Sequence, residues 1–302
     1  MIWRLKKIPW ASLLLIALVL ASYAYFGAEP YASSTAVSSL GLAWWNPFGV
    51  FTHFFMHQGV RHLLANILPL ATFAVLLEST MSVGGVLVVF FAAGVAGGLV
   101  YLIVNPTALV IGASGASSGL MAAATALRPK QAITLAVLVA LLSAFFITPA
   151  SDFFAAQRKT QLQNEVQALG AQFEQAQARV FAAKVAVNQT AARLAEFERL
   201  GKTAEAQQTR AELARHQAEL ARTQEEQAKA SESLESALAK KAEFARGEAQ
   251  ENAPVSALPH AVGALVGLVI VFAFRRADVD ENLRRFKEGF ASVCFRRAKR
   301  ES

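Results

Sequence analysis

Two polar residues in apolar surroundings carry the strongest chemical signal in the sequence. Ser114 lies in a Gly-x-Ser-Gly motif 14 residues before Arg128, and His260 begins a second apolar run 15 residues before Arg275. At ~1.5 Å per helical residue, both side chains would lie roughly 21–23 Å from these basic ends, within a hydrocarbon core about 30 Å thick. Polar side chains at such depth are costly and are usually functional. A serine and a histidine at one depth form the minimal pair for nucleophilic acyl transfer.

Glycines that follow these two residues indicate how they could meet. Ser114 alone is also explained by packing, because small residues let membrane helices approach closely. His260 alone needs a polar partner inside a membrane. Each of the two is followed by a small-xxx-small face, formed by Gly115 and Gly119 in one segment and by Gly263 and Gly267 in the other. Helices that pack through such faces would place the hydroxyl and the imidazole within hydrogen-bond distance.

A third polar group begins another apolar segment. His62 and Asn66 are four residues apart and therefore share one helical face, where both offer side-chain hydrogen-bond donors. Acyl transfer needs such donors at the developing oxyanion. Two other interpretations stay open for this region. One is a polar cluster that holds a loop or water, which suits His53 and His57. The other is a metal site. No carboxylate or cysteine accompanies these histidines.

The composition is that of a membrane protein with a polar insert. The chain has 302 residues, of which 54% are hydrophobic, and a net charge of +7. Residues 151–253 hold 14 basic and 15 acidic side chains, so the basic surplus lies on either side of them. We interpret this surplus as membrane-flanking charge and not as a nucleic-acid patch. The single cysteine, Cys294, excludes an intrachain disulfide.

Six apolar segments predict an all-α membrane bundle. They run near 9–27, 60–78, 83–104, 108–127, 131–148 and 255–274. The basic residues that flank them are Arg4, Lys6, Lys7, Arg128, Lys130 and a cluster from Arg275 to Arg300. The positive-inside rule then places both termini in the cytoplasm. The second, fourth and sixth segments would therefore begin at the outer face, where they carry the polar residues described above.

Residues 151–253 predict a long antiparallel helical hairpin on the outer side, with the 3-4 spacing of a coiled-coil seam. The first arm carries Leu162, Val166, Leu169, Phe173, Ala176, Val180, Ala183, Val187, Leu194 and Phe197, and the second carries Leu213, Leu220, Leu234 and Leu238, interleaved with Gln217, Gln224 and Gln227. Gly201 breaks the pattern between two arms of similar length, each about 70 Å as a helix. A single long helix or a partly disordered insert stays open as an alternative.

Together these motifs resemble the rhomboid family of intramembrane serine proteases. The resemblance covers residues 1–150 and 254–275 and rests on three motifs in the same order as in the family. The motifs are His57-x4-His62-x3-Asn66, Gly112-x-Ser114-Gly115 with Gly119, and His260-x2-Gly263-x3-Gly267. The resemblance implies a bundle of six transmembrane helices that hydrolyses peptide bonds of transmembrane substrates near the outer membrane face.

The resemblance also implies roles for individual residues. Ser114 would be the nucleophile and His260 the general base of a dyad, with no third acidic member and no metal or organic cofactor. His62, Asn66 and the backbone N–H of Ser114 would stabilise the oxyanion. The supporting residues would be His57, in a structural loop, Gly112, which lets the backbone bend before the nucleophile, and Gly115, Gly119, Gly263 and Gly267.

The sequence departs from the family pattern in three places. The Trp-Arg pair that is usual in the first outer loop is Phe48-Gly49 here. The aromatic residue that usually follows the nucleophile by four positions, and stacks on the base, is Ser118 here. The insert at 151–253 lies in a connection that forms part of the cap over the active site in the family. Because Ser118 replaces the aromatic residue that usually stacks on the base, the orientation of His260 implies another support.

We therefore expect four parts, residues 1–150 as the membrane domain, 151–253 as the hairpin, 254–276 as the last transmembrane helix and 277–302 as a basic cytoplasmic tail. The expected partners are transmembrane substrates, the lipid bilayer, and a coiled-coil partner or second copy bound through 155–250, but no nucleic acid. Two other functions stay open, a catalytically silent rhomboid-like binder of membrane helices and a membrane-anchored coiled-coil scaffold. Because Ser114 and His260 are both present, the sequence favours the protease.

Overall fold

The computed structural model describes residues 8–26, 34–251 and 256–298, and its regular elements there are helices. The α-helices are α1 (Trp10–Phe26), α2 (Ser34–Leu40), α3 (Val60–Glu78), α4 (Val83–Val104), α5 (Ser114–Leu127), α6 (Pro129–Leu142), α7 (Thr148–Arg199), α8 (Thr203–Glu251) and α9 (Ala257–Ala298). A 3-10 helix covers Pro47–Phe51, and a π-helical turn covers Ser143–Ile147. The predicted flanking residues Arg4, Lys6, Lys7 and Arg300, and the predicted boundary at 254, lie outside the described residues.

The chain forms two compact units, residues 1–155 with 246–302 and residues 156–245. In the described part of the first unit, three helical stretches are long and apolar enough to cross a membrane: α3 (Val60–Glu78), α4 (Val83–Val104) and the first part of α9 (Ala257–Arg276). A fourth candidate is the apolar part of the helical run Pro129–Arg199, and α1 is a shorter apolar helix. These spans have the length and composition that a multi-pass membrane protein requires.

The predicted fourth apolar segment is helical only in its second part. The sequence predicts a span over 108–127, whereas α5 has 14 residues and begins at Ser114 itself. Before it, Leu42 and Val110 exchange both backbone hydrogen bonds at 2.9 Å, as an antiparallel pair does. The prediction of a helix from 108 was wrong, because an apolar run does not by itself distinguish an extended backbone from a helical one. At about 21 Å, α5 is shorter than a hydrocarbon core.

α5 packs against α3, α4 and α9 in the membrane unit. Gly263 and Gly267 of α9 lie so close to α5 that added Cβ atoms would be 2.1 and 2.2 Å from the carbonyl oxygens of Gly115 and Gly119. A Cβ on Gly119 would be 2.3 Å from the Cβ of Ala93 on α4. The two small-xxx-small faces therefore bring the backbones of α5 and α9 into contact.

The carboxylate of Glu78, at the end of α3, caps the start of α1. It accepts hydrogen bonds from the backbone N–H groups of Ala11 and Ser12, at 3.0 and 3.1 Å, and from the Ser12 hydroxyl at 2.8 Å. The first N–H groups of a helix have no intrahelical acceptor, and the positive end of the helix dipole favours an anion there. Glu78 thus ties α1 to α3.

α6 is the least buried of the candidate spans. Through the π-helical turn it continues into α7 as one helical run, Pro129–Arg199, and only 6% of the apolar window in this run is buried. Phe145 and Phe146 in the turn are 69% and 67% exposed. The sequence predicts that the fifth apolar segment ends at 148, and the helical run continues past that residue into α7.

The second unit consists of two antiparallel helical arms, from α7 and α8. Gly201, with φ +70, lies at the turn between them. Three ion pairs join the arms at matching distances from the turn: Arg179 with Glu226 at 3.6 Å, Arg193 with Glu212 at 2.7 Å, and Glu198 with Arg210 at 2.7 Å. These pairs exclude a single uninterrupted helix for this unit.

The side chains between the arms follow the predicted spacing on α7. On α8 they follow it at Leu213, Leu220 and Leu234 but not at Leu238. All ten apolar or small residues predicted for the first arm are buried or half-buried. On α8, Ala237 is 1% exposed while the predicted Leu238 is 45% exposed, and Gln217 and Gln224 are also exposed. The prediction for Leu238 was wrong because alanine and threonine occupy much of this seam. The positions of the leucines alone therefore do not show which residues of α8 face α7. Supercoiling of the arms stays a prediction.

Candidate active site

A cavity of about 220 Å³ lies in the membrane unit where α4, α5, α9 and the segment before α5 meet. Its walls include Ser114, Gly112, Gly115, His62 and His260 from the predicted site. They also include residues that the sequence did not single out for the site, among them Tyr101, Ser256 and Pro259. Ser114 and His260 are both half-buried. The fold therefore brings a hydroxyl and an imidazole from distant parts of the chain to one cavity.

Ser114 is the first residue of α5. The first backbone N–H groups of a helix have no intrahelical acceptor, and the helix dipole gives this end a partial positive charge. The Ser114 and Gly115 N–H groups belong to this first turn. An oxyanion that forms beside the Ser114 hydroxyl would therefore meet backbone donors as well as a favourable field.

Gly112 brings the backbone before α5 against His62. Its φ of +96 disfavours any L side chain, and a Cβ there would lie 2.6 Å from Nε2 of His62. The Gly112 N–H donates to the carbonyl of His53 at 2.8 Å, which fixes the bend. A glycine at 112 is thus required twice, by the backbone conformation and by the space that His62 occupies.

The hydrogen bond on Nδ1 of His62 determines what its other ring nitrogen can do. The backbone N–H of Gln58 donates to Nδ1 at 3.4 Å, so that in the neutral ring the proton is on Nε2. Nε2 is the atom that faces Gly112, two residues before Ser114. His62 therefore presents an N–H donor toward the cavity.

Asn66 lies one turn further along α3 and is 4% exposed. Its Nδ2 donates to the His62 carbonyl at 2.8 Å and lies 3.8 Å from the position of a Cβ on Gly112. The amide has a second N–H, which is a further donor on the same helical face as His62. Asn66 is not one of the residues that line the cavity, and it lies behind the bend at Gly112.

His260 has the tautomer that a general base needs. Its Nδ1 lies 2.9 Å from the carbonyl oxygen of Ser256. A carbonyl can only accept, so Nδ1 carries the proton, and Nε2 of the neutral ring keeps a free lone pair. The backbone of Ser256 thus orients the ring without an acidic side chain. Ser256 was not predicted for the site, although it lies four residues before His260, immediately before the start of α9.

Close contacts of the backbone fix His260 relative to Ser114. A Cβ on Gly115 would lie 3.3 Å from the carbonyl oxygen of Pro259, and one on Gly97 would lie 2.8 Å from the same atom. The residue before His260 is therefore held between α4 and α5. In the described structure no hydrogen bond joins the Ser114 hydroxyl to His260, and such bonds are commonly long before a substrate binds.

His57 and His53 are buried histidines of the loop before α3. They are 1% and 2% exposed, and each ring points Nδ1 at a backbone carbonyl, that of Phe55 at 3.3 Å and that of Gly49 at 2.8 Å. Burial lowers the pKa of His53 to about 4 and that of His57 to about 3. The His57 ring also packs edge-on against His62, at 5.1 Å between centroids.

These two histidines are therefore neutral supports of the loop near pH 7. No group of three or more histidine, cysteine or acidic side chains suited to a metal occurs among the described residues.

Ser118 and Ser117, which follow Ser114 on α5, are 8% and 4% exposed. They pack inside the bundle.

A family model described as the Rhomboid domain matches residues 41–164. The match runs from the loop before α3 to the start of α7, so it includes Ser114 and Asn66 but not His260. Comparisons with curated proteins and with solved structures found no match.

Proposed function

The chain is a rhomboid family protein and a multi-pass membrane protein, and on that basis we propose that it is an intramembrane serine endopeptidase with a Ser114–His260 dyad. One observation carries the proposal. The two residues are distant in sequence, yet they line one cavity of about 220 Å³ together with His62. The proposed substrates are transmembrane proteins, cut near the outer membrane face.

In the proposed reaction, Nε2 of His260 takes the proton of the Ser114 hydroxyl as Oγ attacks the scissile carbonyl carbon. The C–O bond to serine forms, the C–N bond of the peptide breaks, and the imidazolium returns the proton to the leaving amine. Water then attacks the acyl-enzyme by the same route, with His260 again as the base. The Ser256 carbonyl keeps Nδ1 protonated throughout, because it accepts that hydrogen bond at 2.9 Å.

The negative charge of each tetrahedral intermediate would face donors that are already in position. These are the N–H of Ser114 and Nε2–H of His62. The amide of Asn66, on the same helical face as His62 but outside the cavity lining, is proposed as a third donor. Fixed donors cost no reorganisation during the reaction, which is why such sites often supply the largest part of catalysis. Gly112 supports this arrangement because it lets His62 lie against the backbone before the nucleophile.

The proposed topology has both termini in the cytoplasm and the helical hairpin on the outer side. Arg128, between α5 and α6, and Lys130, in the first turn of α6, support it through the positive-inside rule. α3, α5 and α9 would then all begin toward the outer face, so water would enter the site from that side.

A fluorophosphonate probe tests the proposal, since it phosphonylates only activated serines. The purified protein in detergent is labelled beside Ser114→Ala, His260→Ala and the matched control Ser117→Ala, a buried serine one turn further along α5. We expect labelling of the wild type and of the control, and none of the other two variants. A folded wild type that takes up no probe, or a Ser114→Ala variant that still does, would rule the proposal out.

A further inference from the structure

The last helix continues well beyond its membrane span. α9 ends at Ala298, whereas the part of it that is long and apolar enough to cross a membrane is Ala257–Arg276. At ~1.5 Å per residue, a span of this length crosses the whole of a hydrocarbon core about 30 Å thick. The remainder of α9, residues 277–298, is about 33 Å long and is called the extension here. It therefore begins where the span leaves the core.

A kink at Arg275 separates the span from the extension. The φ of −137 and ψ of 29 at this residue are not helical. Its Nη1 donates a hydrogen bond to the carbonyl of Thr80 at 2.6 Å, so the kink is tied to the connection between α3 and α4. One turn later, Val279 is 0% exposed and belongs to the apolar core of the bundle. The extension therefore starts in contact with the end of the bundle.

The face on which Val279 lies continues along the extension as an apolar stripe. Positions 283, 286, 290 and 293 follow 279 at 3-4 spacing, which places all five on one face of a helix. In the sequence these positions hold Leu283, Phe286, Phe290 and Val293. The stripe begins against the end of a membrane bundle, and the surface beside that end is the surface of the bilayer. A helix that lies along this end would therefore turn its apolar stripe to the bilayer as well.

Charge distinguishes the two parts of the extension. Near the kink, the acidic residues are paired with arginines: Arg275 with Asp278 at 2.5 Å, Arg276 with Asp280 at 3.8 Å, and Arg284 with Glu281 at 2.6 Å. In the sequence, residues 285–300 then hold six basic side chains and one acidic one. Basic clusters of this size on an amphipathic helix beside a span favour anionic lipid headgroups. A parallel second copy would instead place two basic segments side by side, where like charges repel.

We propose that the extension is an interfacial helix that binds a bilayer surface carrying anionic lipids. The apolar stripe lies at the boundary between headgroups and acyl chains, and the basic residues from Arg285 onward bind lipid phosphates. In the proposed topology this is the cytoplasmic surface. The inference requires a multi-pass membrane protein and does not depend on the proposed dyad.

The single cysteine of the chain, Cys294, lies in the extension and accepts a label without any substitution. The full-length protein is labelled there with a fluorophore and reconstituted in vesicles of phosphatidylcholine, with or without added phosphatidylglycerol. A lipid with a nitroxide on its headgroup quenches the fluorophore when the extension lies on the bilayer. We expect quenching at least twofold stronger in the anionic vesicles, and weaker quenching in high salt, which screens the headgroup charge.

A charge variant with a matched control tests the basic residues. The variant carries four substitutions in the extension, Arg285→Gln, Lys287→Gln, Arg296→Gln and Arg297→Gln. The control removes the same charge from exposed positions of the hairpin, with Lys184→Gln, Arg199→Gln, Arg215→Gln and Lys240→Gln. The charge variant should be quenched equally in the two kinds of vesicle, whereas the control should behave like the wild type.

One aromatic substitution on each side of the helix tests the stripe. Phe290→Ser removes a ring from the stripe and should weaken quenching at least twofold in the anionic vesicles. Phe295→Ser removes a ring from a position on the other side of the helix and should have no such effect.

The comparison of the two kinds of vesicle uses the wild type, so it decides the question even where a variant does not fold. Equal quenching of the wild type in both would overturn the inference, and so would wild-type behaviour of a charge variant whose thermal midpoint shows that it is folded. Self-association would also overturn it: fluorophores that are shielded from the nitroxide at many copies per vesicle, and quenched at few, would show that a second copy covers the stripe.

Discussion

At the scale of single residues, the site depends on which ring nitrogen carries the proton. His62 and His260 are both histidines that face one cavity, but their backbone partners differ in kind. An N–H opposite Nδ1 makes His62 a donor at Nε2, and a carbonyl opposite Nδ1 makes His260 an acceptor there. The backbone thus assigns opposite chemical roles to two identical side chains.

The oxyanion role of Asn66 leads to a kinetic prediction. Asn66→Ala should lower kcat about 10²-fold, the typical cost of one lost oxyanion donor, and should leave KM nearly unchanged because the donor acts mainly in the transition state. The measurement is cleavage of a single-span substrate over a range of concentrations. A variant with raised KM and unchanged kcat would contradict the role.

The buried loop histidines predict a loss of stability in acid. Burial lowers the pKa of His53 to about 4 and that of His57 to about 3, while both titrate near 6.5 in an unfolded chain. As pH falls below about 6.5, the unfolded state therefore binds protons that the folded state does not. Their stabilisation is complete above pH ~6.5 and declines as pH falls toward 3.

Thermal midpoints in detergent at pH 7.5, 6.5 and 5.5 would measure this decline. His57→Phe removes one of the two groups, so the midpoint of this variant should fall less on acidification than that of the wild type. Equal falls would show that His57 does not carry the effect.

Some residue roles followed from the sequence and others did not. Ser114 and His260 were predicted for the site because each is a polar residue in an apolar run at a similar depth. His62 was predicted because it shares a helical face with Asn66 at the start of another apolar segment.

Tyr101, which also lines the cavity, could not be predicted, because its place there depends on which face of α4 packs against α9. Which face packs depends on glycines such as Gly97 and Gly119, where two backbones or side chains of neighbouring helices come into contact.

At the scale of helices, the contact between α5 and α9 decides whether the site exists. Gly263→Ala would place a methyl group 2.1 Å from the Gly115 carbonyl oxygen. The two backbones would have to separate, at a cost of about 1–3 kcal/mol for overpacking, and His260 would move away from Ser114. We expect a lower thermal midpoint and at least tenfold slower probe labelling.

Gly84→Ala is the matched control for this substitution. Gly84 is also a helical glycine, but a Cβ there would meet nothing within 4 Å. Its replacement should be neutral or stabilise by about 0.5–1 kcal/mol, since alanine favours helices over glycine. Gly263→Ala with the midpoint and labelling of the control would show that the close contact is not required.

The helices themselves were largely predictable, and their ends were less so. Length and apolar content located the spans, but the start of α5 depended on Gly112 and on the pairing of Leu42 with Val110. The seam of α8 was misread at Leu238 because its true positions hold small and polar residues such as Ala237 and Thr209. An apolar pattern predicts which residues lie between two packed helices only where those residues are apolar.

At the scale of the whole molecule, the polar hairpin is a compact unit of its own, residues 156–245. Phe181 and Val185 on α7 are 70% and 37% exposed and one turn apart. Binding of a coiled-coil partner or a second copy within residues 155–250 stays a prediction from the sequence.

Replacement of 156–245 by a short flexible linker should therefore leave probe labelling within about threefold of the wild type, because the cavity residues all lie in the other unit. The range of membrane substrates cut in cells should change. The comparison needs the thermal midpoint of the shortened protein. A shortened protein that folds but takes up no probe would show that the hairpin is part of the catalytic machinery.

The most direct measurement is cleavage of single-span substrates by the protein in liposomes, with the cut site identified by mass spectrometry. A panel of transmembrane segments with varied residues near the outer end serves as substrate. We predict a cut in the outer third of the span, absent from both Ser114→Ala and His260→Ala and present in Ser117→Ala. Cleavage that persists without Ser114, or a wild type that takes up probe but cuts none of the panel, would contradict an intramembrane Ser–His endopeptidase.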